Sequence, residues 1–200
     1  MRRELPYFTI DKAYGGCQNW FTDRGMYAGG CGAITACDCS IYFDLYKGTH
    51  LYPYDLEHLS KVDFVRFGQL DMQPYLHPRY MGIDRLDLFI EGYQKYLRDH
   101  HNKSLRLLPW SGDQRLRDTA MVVQKQIDAG LPIPNLTLYH KNPAMRDFVW
   151  HWYLITGYIT NLDTCMVKLV TYGQWRWVDL VTLWDTGYDR KGGLIVFDQH

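Results

Sequence analysis

Residues 14–46 read YGGCQNWFTDRGMYAGGCGAITACDCSIYFDLY, and the change of character near position 31 decides the fold. From Tyr14 to Gly32 there are six glycines among several aromatics. That composition belongs to a loop whose backbone must come close to another group. From Cys31 onwards Ile34, Cys37, Ile41 and Leu45 recur at spacings of three and four, with Gly48 just beyond as a stop. This is the period of a buried helix, and it puts Cys31 in the first turn. Further out, RLDLFIEGYQKYLRDHH (85–101) aligns Leu86, Phe89, Ile90, Tyr93 and Leu97, and DQRLRDTAMVVQKQIDAG (113–130) aligns Leu116, Ala120, Val123 and Ile127. Both read as packing helices, so the middle of the chain from about 50 to 130 is expected to be helical. After Gly130 the period shortens: PIPNLTLYH, HWYLITGYI, CMVKLVTYG and GGLIVF are short, branched and aromatic, and separated by turn signals such as NLD and RKGG. The expected fold class is α+β, with a helical half over about 14–130, an antiparallel sheet half over about 131–200, and a cleft between them.

The 200 residues fit a single domain, 1–200, without a repeat or a linker. Lys plus Arg (22) equals Asp plus Glu (22), so no global field gathers polyanions, and nucleic acid is not an expected partner. The opening MRRELPYFTIDKAYGG has two arginines but no apolar run after them, so neither a signal segment nor a membrane span is expected and the reading is cytoplasmic. Five cysteines, an odd number, then point to reduced thiols. The oligomeric state is not legible.

Cysteine reacts as thiolate, and the free N–H groups of a helix N-terminus favour that charge, so Cys31 is expected to have a pKa below the free value of about 8.5. Gly29, Gly30 and Gly32 leave room for a carbonyl to approach the sulfur, and the Cys31 N–H is placed to serve an oxyanion. Most cysteines at such positions only pack; His151 distinguishes this one. It opens the strand HWYLITGYI, where its ring can lie at the sheet edge and face the helical half as base and then acid. His100, His101 and His200 read as exposed ends, and His50, His58, His77 and His140 lie in loop-like surroundings.

The order of these pieces resembles the papain-like cysteine peptidases. Gln18, a Gly-rich loop, GGCGAITA opening a helix, QIDAGLPI ending another and HWYLITGY on a strand follow one another over about residues 14–196. The branch most similar is the bacterial one that includes the peptidase domains cutting double-glycine leader peptides. There a Cys-Gly pair begins the central helix, matched here by Cys31-Gly32. A Gly-hydrophobic-Pro-hydrophobic phrase precedes the histidine strand, matched by Gly130-Leu131-Pro132-Ile133, and the strand runs from His to Gly-Tyr, matched by His151 to Gly157-Tyr158. The resemblance implies a papain-like fold, Cys31 as nucleophile, His151 as general base and acid, and Gln18 as oxyanion donor. It implies a peptide or protein substrate and no cofactor.

Two departures stand out. Gln18 lies thirteen positions before Cys31, farther than is usual in the family, which leaves Asn19 as an alternative donor. The strand after His151 carries no Asn or Asp to orient the imidazole; Val170 and Thr171 stand there, and only Thr171 has a hydroxyl to offer. The expected activity is therefore peptide hydrolysis through a Cys31 thioester. The rivals are acyl transfer or amide hydrolysis by the same pair, and a peptide-binding module with weak turnover. Cys37-Asp38-Cys39 lacks the spacing and the further ligands of a zinc site. Trp175, Trp177 and Trp184 read as core packing in preference to a groove.

Overall fold

A seven-stranded antiparallel sheet backs a layer of helices in the computed structural model of the chain, which describes residues 1–162 and 164–199. His200 and Asp163 of the NLD turn lie outside the described residues. Three short strands come first: β1 (Arg2–Glu4), β2 (Thr9–Ile10) and β3 (Ala13–Tyr14). Helices α1 (Arg24–Gly29), α2 (Cys31–Lys47), α3 (Lys61–Arg66) and α4 (Leu86–Asp99) follow, then strand β4 (Leu105–Ser111) and helix α5 (Leu116–Asp128). The last part contains β5 (Ile133–Thr137), β6 (His151–Thr160), β7 (Cys165–Thr171), β8 (Gln174–Asp179), helix α6 (Leu180–Trp184) and β9 (Gly192–Gln199).

The sheet order is β4-β9-β5-β6-β7-β8, with β1 beside the far end of β6. Strand β6 is thus interior, and His151 reaches the end of the sheet by being the first residue of its strand, not by lying on an edge strand. Residues 151–158 of β6 are all buried, as a strand covered on both faces requires. Helix α2 packs on β6 and is buried without a break from Cys31 to Asp44, the buried helix that its spacing predicts. Gly48, in the left-handed region at φ 67°, closes it. The Asp44 carboxylate accepts the Leu51 and Tyr52 N–H groups, fixing the chain as it leaves.

The two helices read from sequence pack largely through the expected stripes, with Phe89, Tyr93 and Leu97 of α4 and Val123 and Ile127 of α5 buried, but Leu116, at the start of α5, is exposed and takes no part in its stripe. Phe89 stacks on Trp152 of β6 at 4.4 Å. Gln126 exchanges two hydrogen bonds with the backbone of Phe197, tying α5 to β9. The division at 130 does not hold in detail. β4 joins the sheet from the helical half, β1 joins it from the residues ahead of that half, and α6 lies in the sheet half. In β4 Leu105 and Leu107 point inward around an exposed Arg106, a period too short to register beside two long helices. The glycine-rich segment, expected as loop, also contains α1, because Asp23 caps it by accepting from the Met26 N–H at 2.8 Å. Among the described residues no helix is long and apolar enough to cross a membrane.

Candidate active site

Cys31 owes its place to Gly30. Helices α1 and α2 meet there with almost no linker, and a Cβ on Gly30 would sit 2.4 Å from the Met26 carbonyl oxygen. Only glycine allows the approach, and Cys31 thereby becomes the first residue of α2, where N–H groups lack partners within the helix. Cys31 is 9% exposed. The backbone N–H groups of Trp152, Gly32 and Cys31 itself favour its thiolate, but burial outweighs them and pushes the thiol above its ordinary range. The expected lowering is thus reversed: a helix terminus is worth about 1 kcal/mol to an anion, less than desolvating the sulfur's charge costs here.

His151 enters β6 after Trp150, which takes a left-handed φ of 56° and donates its indole N–H to the Met81 carbonyl at 2.8 Å. Leu154 faces Val170 across the β6–β7 pair, so His151 and Thr171 are diagonal neighbours on one face. The Thr171 hydroxyl lies 2.7 Å from Nε2 of His151, while Val170 is turned into the core. Burial lowers the His151 pKa from 6.5 to about 4, so the ring is neutral at pH 7.

Thr171 and Gln174 close the β7–β8 hairpin through a two-residue turn, Tyr172-Gly173, with φ of 54° and 70°. Those angles define a type I′ turn, which strongly prefers Asn-Gly. The tyrosine there lays its ring flat on His151, with centroids 4.6 Å apart and planes inclined by 2°. Its hydroxyl is 3.5 Å from Nδ1, but parallel planes put that oxygen over the ring's face, so the contact is stacking and not an in-plane hydrogen bond.

Gln18 lies in a single turn of 3-10 helix, Gln18–Trp20, and is buried. Its Nε2 donates to the Tyr27 carbonyl at 2.7 Å, which leaves a second N–H on the same nitrogen; its Oε1 is buried without a partner. Asn19 is exposed. A cleft of about 400 Å³ is lined by Gln18, Gly29, Cys31, Trp150, His151 and Tyr172, among others. The structure therefore brings Gln18, Cys31 and His151 to one cavity and sets Thr171 behind the imidazole. Among the described residues no direct hydrogen bond joins the Cys31 sulfur to the His151 ring, and at rest both groups are neutral.

Two residues escaped the sequence reading. Tyr172 is one, although TYGQ between two strand patterns carries a turn signal. Asp38, read only as part of the Cys37-Asp38-Cys39 triplet, is the other. It is buried in α2, accepts from the Gly16 N–H at 2.9 Å and the Tyr7 hydroxyl at 3.0 Å, and burial raises its carboxyl to about 7. Cys37 and Cys39 are fully buried, and among the described residues no group of three or more His, Cys, Asp or Glu can hold a metal ion. The tryptophans divide: Trp184 is buried, whereas Trp175 is 50% exposed on a surface groove. No protein-family model, curated protein or solved structure matches the chain.

Proposed function

We propose that the chain is a cysteine peptidase of papain-like type, acting on a peptide through Cys31 and His151. The observation that carries this reading is the convergence of a helix-start cysteine and a strand-start histidine on one cleft, with Nε2 of the histidine engaged by Thr171. With Nε2–H donating to Thr171, Nδ1 is the basic nitrogen. It takes the Cys31 thiol proton as the sulfur attacks the peptide carbonyl. The oxyanion meets the Cys31 N–H and the second N–H of Gln18. His151 returns the proton to the departing amine, leaving a thioester that water hydrolyses with the same ring as base. Because both groups are neutral at rest, the proton moves during attack and not before substrate arrives.

One observation favours the binding-module alternative: the absence of a Cys31–His151 hydrogen bond in the resting site. The test is a peptide carrying an electrophilic carbonyl analogue, followed by mapping of the labelled cysteine and by turnover of peptide amides. Labelling at Cys31 that disappears in His151→Ala, with turnover of an amide, supports the peptidase. Labelling at Cys165, or at Cys31 independently of His151, rules it out. A bound peptide that is neither cleaved nor transferred to an amine leaves the binding module.

A further inference from the structure

We infer that Tyr172 is a positioning residue for His151, fixing the plane of the imidazole and closing it off from water. The inference deepens the peptidase reading and depends on it only for the catalytic consequence. Thr171 and Tyr172 grip the ring in different directions. The hydroxyl of Thr171 lies at Nε2, and the ring of Tyr172 covers a face. One contact alone would let the imidazole rotate about the axis through Nε2; the second removes that freedom.

The turn is built to hold Tyr172 there. The Gly173 N–H donates to the Gly16 carbonyl at 3.0 Å, and the Tyr14 N–H donates to the Gly173 carbonyl at 2.8 Å. Gly16 is in turn held by the Asp38 carboxylate. A Cβ on Gly173 would meet that of Ala13 at 3.0 Å, so the hairpin tip sits directly on the N-terminal segment. A bulky residue at φ 54° is an unfavourable choice for such a turn, and asparagine would satisfy the backbone better. Strain that the surroundings enforce beside a reactive pair points to function. The titratable groups around the His151 ring are Tyr172 on the turn, Tyr153 on its own strand and Cys31 on α2, with Asp38 at the far side of the narrow crevice behind them.

The test is an NMR titration of the His151 ring in the full chain and in Tyr172→Asn, Tyr172→Gly and Tyr172→Phe. Asn and Gly suit the turn, so these variants keep the hairpin and remove only the ring. Their His151 midpoint is expected to rise by about one pH unit or more towards its ordinary value, with kcat on a peptide amide falling at least about tenfold and KM changing less. Tyr172→Phe is expected to keep the wild-type midpoint. An unchanged midpoint in both Tyr172→Asn and Tyr172→Gly overturns the positioning role, whatever the turnover. A raised midpoint in a chain that cleaves no peptide supports the positioning role and removes the peptidase reading instead.

Discussion

The hydroxyl of Thr171 stands 2.7 Å from Nε2 of His151, at the point where β7 ends and its hairpin turns. A hydroxyl can accept from Nε2–H or donate to a bare Nε2, so its role depends on the imidazole tautomer. Val170, one residue earlier, cannot take part, because strand alternation turns it into the core.

Replacing Thr171 by valine keeps the shape and removes the oxygen. Turnover by Thr171→Val is expected to fall about 10- to 100-fold, with a stability loss of about 1 kcal/mol from the unpaired ring nitrogen. Thr171→Ser should recover most of the activity. Steady-state kinetics on a peptide amide, with urea unfolding alongside, provide the comparison; wild-type kinetics in the valine variant would exclude an orienting role.

Gln18 lines the cleft, and with one N–H committed to Tyr27 its amide nitrogen keeps a second. Removing it in Gln18→Ala is expected to lower kcat about 100-fold with little effect on KM, since the donor matters only once the oxyanion forms. Exposed Asn19 should tolerate alanine. A larger loss in Asn19→Ala than in Gln18→Ala would reverse this assignment.

Acid stability should expose two buried groups acting in opposite directions. His151 titrates near 4 when folded and near 6.5 when unfolded, so its contribution is complete above about pH 6.5 and is lost as pH falls towards 4. Asp38 titrates near 7 when folded and near 3.8 when unfolded, so its contribution is complete at low pH and is lost as pH rises through 7. The change is roughly 3 kcal/mol for His151 and roughly 4 kcal/mol for Asp38 across their windows, and between pH 4 and 6.5 they largely offset one another. Thermal melts over pH 4–8 should therefore be flat for the wild type and should climb with pH for Asp38→Asn. Parallel curves for the two proteins would contradict the buried carboxyl.

Gly30 is held by contact and not by its backbone angles, since its φ of −79° is open to any residue. In Gly30→Ala the new methyl meets the Met26 carbonyl oxygen, part of the α1 backbone. The expected loss is about 1–3 kcal/mol, read from urea midpoints, together with slower labelling of Cys31 as the start of α2 shifts. Unaltered stability would mean that the α1–α2 junction has slack that the contact distance does not suggest.

What the chain determined by itself is local. The three-and-four spacing after Cys31, the stripes of α4 and α5, and the branched, aromatic runs after Gly130 each set an element through its own neighbours, and the α+β class follows from their order. The cysteine at a helix start and the histidine at a strand start were legible for the same reason. Tertiary structure decided the rest. Whether LRLLPWS would be a strand depended on β9, more than eighty residues later, offering it an edge. Whether Cys31 would be acidic or not depended on how deeply β6 and its neighbours bury it, a desolvation that no helix-end rule contains. Thr171 was legible as the hydroxyl available to His151, but that it reaches the ring, and that Tyr172 covers it, came from a hairpin whose register places Thr171 diagonally across and Tyr172 over the imidazole. Short-range periodicity fixes which residues face inward, but which inward faces meet is set by chain closure and packing over long separations, and that is where the site was made.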